Sequence, residues 1–229
     1  MNYRDYKEFA SDCIYHIYNR GNGKMEIFRD SQDYQIFLNR VSLVLGIKTL
    51  SSAKSAKGRP LHLPVKGKKE RINITPFPAG SFSLLCYCLM PNHFHFLVRQ
   101  NRDIPVSKFL LKLCTSYSMY FNRRHQHVGH VFQDRFRASR IDSDSYFNWI
   151  SVYIHANPKT AHLVGRLDDW PHSSYPGYIG KQENLLCDTS IIMSEFKSKE
   201  AYKRFVADGL GMAEKIKLAG ALLDEAEES

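Results

Sequence analysis

The stretch that most limits how this chain can fold runs from Phe82 to Val98. Phe82–Met90, FSLLCYCLM, is a nearly continuous apolar run of strand length, Pro91-Asn92 supplies turn chemistry, and His93–Val98 returns in alternation. This predicts a β-hairpin of two central strands. In a strand, His93 and His95 point from one face while Phe94, Phe96 and Val98 point from the other. One face can then be core and the other chemistry, because two neutral imidazoles on a rigid strand can offer nitrogens to one divalent metal ion. The same pattern also suits an amphipathic strand whose exposed face carries histidine, so the rest of the chain has to decide.

The chain of 229 residues is 43% apolar and 13% aromatic, enough to bury a proper core. No apolar run approaches the length of a bilayer span, and the opening MNYRDYKEFASDC lacks the basic-then-apolar organisation of a signal peptide, so no membrane association and a cytoplasmic location are expected. Five cysteines, at positions 13, 86, 88, 114 and 187, show no paired framework and suit a reducing compartment. Cys86-x-Cys88 beside the histidine pair does not match the usual zinc-ligand spacings, and buried strand cysteines are expected instead. The net charge of +9 is uneven, since the tail from Asp188 is net acidic. The basic part has a polyanion as its natural partner, although charge alone speaks to non-specific attraction.

Tyr15–Tyr18 alternates and runs into the turn cluster Asn19-Arg20-Gly21-Asn22-Gly23, a first strand. His16 on that strand could join a metal or DNA face, but a packed or solvated histidine is the expectation. Asp30, Ser31 or Asp33 can cap a first helix ending around Gly46. Residues 48–75 form a basic insertion, with Glu70 the only acid between Lys48 and Arg71: a solvated loop or a phosphate-tracking arm. After the hairpin, Ser107 is a plausible cap for a long second helix that closes in the basic Asn122–His127. Arg135–Ile141 reads as a fourth strand.

The order β-α-β-β-α-β is the split βαβ, ferredoxin-like arrangement, an α+β fold with a four-to-five-stranded antiparallel sheet, two helices on one face and the other face open to a long ligand. A further helix follows, opened at Asp142–Ser145 and stopped by Pro158, with Asn157 in its last turn. Residues 1–180 form the main domain and 181–229 a helical extension, with SEFKSKEAYKRFVADGL reading as a helix.

Tyr153 and Asn157, four apart, project from one face of that helix. If this face lies over the open side of the sheet, Asn157 can complete a metal site with His93 and His95, and Tyr153 is close enough to attack whatever the metal polarises. With thirteen tyrosines in the chain, most must simply pack, and a packing role is the competing reading for Tyr153.

With these residues in view, the chain resembles the single-tyrosine HUH transposases (IS200-like), and within them the REP-associated tyrosine transposases. The matching pieces are YHIYNRGNGKMEIFRD at 15–30, YCLMPNHFHFLV at 87–98, FNRRHQHVGHVFQDRFRA at 121–138, YIHANPKTAHLV at 153–164 and DDWPHSSYPGY at 168–178, in the family's order. Lys159–His162 departs from the sequence common at that place, and 48–71 looks like an addition. Neither removes a catalytic group. The resemblance implies a metal-dependent single-stranded DNA endonuclease and strand transferase. In it His93 and His95 are metal ligands, Asn157 completes metal binding, and Tyr153 is the nucleophile that forms a 5′-phosphotyrosine. It also implies recognition of hairpin DNA beside a single-stranded guide, by a monomer or a homodimer.

Phosphate oxygens favour Mg2+ or Mn2+, the imidazoles making manganese especially acceptable. A phenol, with an ordinary pKa of about 10, needs an outlet for its proton. Arg20, Arg123, Arg124, Arg135 and Arg137 are candidate DNA contacts, each of which could equally be an ordinary surface charge. Two rival readings use the same residues: a non-catalytic nucleic-acid-binding module of ferredoxin-like fold, and a metal-dependent phosphodiesterase that uses water. Against the first, no strand carries the aromatic RNP1 pattern, and a histidine pair occupies a central strand instead.

Overall fold

The structure, a computed structural model, describes residues 9–47, 74–133 and 135–227. The expected basic insertion therefore lies outside the described residues except for its last two positions. Four strands form one sheet: β1 (Cys13–Arg20), β2 (Phe82–Met90), β3 (His93–Gln100) and β4 (Arg137–Ile141). Their order is β2-β3-β1-β4, with every pairing antiparallel, which is the split βαβ topology that the sequence predicts. The fourth strand begins at Arg137, so Arg135 precedes it.

Helices α1 (Ser31–Leu45) and α2 (Val106–His125) cover one face of the sheet. Phe94, Phe96 and Val98 of β3 and Tyr15 and Ile17 of β1 bury into that layer with Phe37 of α1 and Phe109 and Tyr117 of α2. The other face was expected to be open. Instead α3 (Asp144–Thr160) lies on it, over β2 and β3, and buries Phe147, Ile150, Val152 and Ile154 against Leu85, Cys86, Cys88, Met90 and Leu97. The short helices α4 (Tyr175–Tyr178) and α5 (Ser190–Met193) and the long α6 (Lys199–Glu227) extend this second layer, with Tyr202 and Val206 of α6 fully buried. Both faces of β2 are therefore core, which is why its sequence is apolar throughout.

A bulge between Leu84 and Cys86 adds one residue to β2. Leu85 and Cys86 consequently both face the second layer, while Phe82, Leu84, Tyr87 and Leu89 face the first.

Asp30 caps α1 by accepting from the backbone N–H of Gln32 and Asp33, and Gly46 ends it at φ 73°. Ser107 does not cap α2. Pro105 is the capping position, and the buried Gln100 at the end of β3 accepts the Val106 N–H through Oε1 at 3.0 Å. Nor does Pro158 stop α3, which runs two residues further, to Thr160. The carbonyl of Asn157 is taken up by the Ala161 N–H and the Thr160 hydroxyl, so the last turn closes around the proline. Among the described residues no helix is long and apolar enough to cross a membrane.

Candidate active site

The register of β1 against β3 sets Tyr18 opposite His95 and Arg20 opposite His93. Directly opposed residues share a face, so His16, Tyr18, Arg20, His93 and His95 line one surface. The rings of His93 and His95 lie 5.0 Å apart between centroids and nearly perpendicular. His95 is 4% exposed and His93 is half-buried.

Each of these two rings is held at Nδ1. His93 Nδ1 lies 2.6 Å from Asn92 Oδ1, and the Asn92 amide nitrogen donates to the Lys24 carbonyl, which fixes the orientation of the amide. His95 Nδ1 lies 3.0 Å from His16 Nε2. The His16 ring lies nearly parallel to that of His95, edge to edge with centroids 5.3 Å apart, and burial lowers its pKa to about 4, so it is neutral.

From the helix above, Tyr153 meets both histidines edge-on, its ring centroid 5.6 Å from that of His95 and 5.9 Å from that of His16. The Ser143 side chain caps the start of α3 by accepting the Tyr146 N–H. Asn157 is 2% exposed, and its Nδ2 donates to the Tyr153 carbonyl at 2.9 Å. This leaves Oδ1 as the atom of its side chain that could serve a metal ion. The structure thus brings together His93, His95 and Tyr153, and adds His16 and Tyr18. It places Asn157 one helical turn beyond Tyr153, and among the described residues no three His, Cys, Asp or Glu side chains form a metal cage. The donor set suits an ion all the same: with both rings engaged at Nδ1, Nε2 is the nitrogen that would serve a metal, and an amide oxygen is a hard third donor.

Two residues beyond the tyrosine, His155 anchors α3 on the far side. The Tyr87 N–H donates to Ser174 Oγ, which lies 2.8 Å from His155 Nε2. His155 Nδ1 lies 2.7 Å from the Tyr202 hydroxyl, which donates to Ser151 Oγ, which donates to the Asn148 carbonyl. Burial pushes the His155 pKa down to about 3. In the neutral ring Nδ1–H donates to Tyr202 and Nε2 accepts from Ser174 Oγ, whose proton has the Tyr87 carbonyl at 3.2 Å as its other acceptor.

The five arginines fall into two groups. Arg20 opposes His93, and Arg137 opposes Tyr18 across β1 and β4, so both border the histidine surface. Arg123, Arg124 and Arg135 belong to the α2 side. Arg123 and Arg135 are exposed there, and Arg135 lines a cavity of about 680 Å³ between α2 and the 129–136 segment. Arg124 is instead held between Asp30 and Asp33, and its hydrogen bonds to Asp30 push its pKa up.

Fold and site together define a ferredoxin-like α+β domain with a histidine pair on a central strand and a tyrosine set over it from a helix. Residues 77–157 match the family model described as "Transposase IS200 like". A solved structure described as "Structure of the REP associates tyrosine transposase bound to a REP hairpin" has the same fold, with a TM-score of 0.53 and 14% identity over 81% of this chain and 90% of that one. No curated protein matches the chain. The family model supports the IS200-like transposase resemblance over residues 77–157, and the solved structure shows a shared fold.

Proposed function

We propose that the protein is a metal-dependent single-stranded DNA endonuclease and strand transferase that acts on hairpin-flanked DNA through Tyr153. The observation that carries this reading is the edge-on approach of the Tyr153 ring to His95, whose ring lies 5.0 Å from that of His93. His93 and His95, through Nε2, and Asn157, through Oδ1, would hold Mg2+ or Mn2+. A bound ion supplies polarisation of the scissile phosphate.

The remaining work belongs to the chain. Tyr153 attacks phosphorus in line, a bond forms between its phenolic oxygen and the phosphate, and the bond from phosphorus to the 3′-oxygen breaks. The proton lost by the phenol is balanced by the one gained by the departing 3′-hydroxyl. The 5′-phosphotyrosine conserves the phosphodiester bond, so a second 3′-hydroxyl can rejoin DNA without ATP. Arg20 and Arg137, at the border of the histidine surface, hold neighbouring phosphates. The hairpin in the structural relative's description supports a hairpin substrate here.

The test is a denaturing gel of a single-stranded hairpin oligonucleotide, labelled at its 3′ end, incubated with Mn2+. The expected product is a labelled DNA–protein adduct, lost in Tyr153→Phe. Metal-dependent cleavage that persists in Tyr153→Phe, with no adduct in either protein, would assign the attack to water.

A further inference from the structure

Of the two ring nitrogens of His95, one has a partner that the metal reading leaves unexplained: Nδ1 lies 3.0 Å from Nε2 of His16. Two neutral imidazole nitrogens at that distance share a single proton, so one donates and the other accepts. A histidine that offers the lone pair of Nε2 to a cation carries its own proton on Nδ1. We propose that His16 is the positioning residue of His95. Its Nε2 accepts the Nδ1–H of His95, which fixes the tautomer and ring rotation that present His95 Nε2 to a divalent cation. This rests on the metal-dependent reading above.

His93 shows the same arrangement with a different partner. Its Nδ1 faces Asn92 Oδ1, an atom that can only accept, so its proton sits on Nδ1 and its lone pair on Nε2. Giving His95 the same tautomer makes the two rings equivalent donors. His16 is built to stay where it is: it is 7% exposed, lies parallel to the His95 ring to within 15°, and is flanked by Tyr18 at 5.7 Å and Tyr153 at 5.9 Å. With Nε2 committed to His95, His16 is not itself a third ligand.

The choice of partner has a chemical consequence. Histidines that bind metals commonly donate to a carboxylate, which raises their basicity and tightens the ion. An uncharged imidazole acceptor fixes orientation without adding negative charge, leaving more of the ion's charge for a phosphate oxygen.

The experiment combines calorimetric titration of Mn2+ into the full chain with long-range 15N–1H NMR of the His95 ring in metal-free protein. The expected results are an Nδ1–H tautomer at His95, Mn2+ affinity about 10–100-fold lower in His16→Phe, and recovery of most of it in His16→Gln, whose Oε1 can still accept. An Nε2–H tautomer at His95 overturns the proposal without any variant. Mn2+ binding that His16→Phe leaves unchanged overturns it while the metal reading stands, as does His16→Gln binding no better than His16→Phe. A wild-type protein that binds no Mn2+ overturns both.

Discussion

Asp33 is fully buried at the start of α1 and collects the Arg124 guanidinium at 2.5 Å, the His125 ring at 3.0 Å and the Tyr120 hydroxyl at 2.9 Å. A buried carboxylate left without its cation is strongly destabilising. Arg124→Met should cost on the order of 3 kcal/mol in urea unfolding, whereas Arg123→Ala, one residue away and exposed, should stay within about 0.5 kcal/mol. The two arginines look alike in sequence. About 100° of rotation around the helix sends one to Asp30 and Asp33 and the other to solvent, and only the packing of α1 against α2 decides which. His16 was hidden for a related reason. The placement of His93 and His95 on one face of a strand and of Tyr153 on a helix is legible in residue type and local spacing, but the contact of His16 with His95 needs the pairing of β1 with β3, across 79 residues. Asn92, which orients His93, reads in sequence only as a turn residue.

Elements were the most legible scale, because hydrophobic period and turn residues act locally. The hairpin, the Gly46 stop and the three main helices all fall where the patterns place them. The exceptions, the Gln100 cap and the continuation past Pro158, both depend on partners supplied from elsewhere in the fold. The same holds for the clamp on α3. Nothing local marks His155, Ser174 and Tyr202 as partners, yet they link α3 to β2 and α6. Tyr202→Phe leaves the buried His155 Nδ1–H without its acceptor and should destabilise by about 1–3 kcal/mol, read from chemical denaturation. Because α3 carries Tyr153, adduct formation on the hairpin substrate should fall in the same variant.

At the scale of the whole molecule, strand order followed from the sequence, but the cover over the second face did not. A helix after the fourth strand can lie beside a sheet or upon it, and the apolar faces of both options read alike. The 168–178 segment is also drawn into the body of the fold, with His172 stacked on Tyr34 of α1 at 3.6 Å. Burial lowers the His172 pKa to about 4 from the ordinary 6.5, so the folded protein favours the neutral ring. That contribution to stability is complete above about pH 6.5, where the unfolded chain is also neutral, and is lost as pH falls toward about 4. His172→Phe, which keeps the stack, should therefore lose less Tm than wild type between pH 7 and pH 5 in thermal scans.

The bulge in β2 carries a different lesson, about which lengths of chain this sheet tolerates. Leu85 is supernumerary: removing it leaves Phe82 and Leu84 on the side they already occupy, and Cys86 and Tyr87 on theirs. A one-residue deletion there sacrifices one buried leucine and no orientation. The same deletion inside His93–Val98 reverses every residue beyond it: loss of Phe94 turns Phe96 toward the tyrosine and drives His95 into the core. Across the two-residue turn that joins them, one strand is free to change length and the other is not.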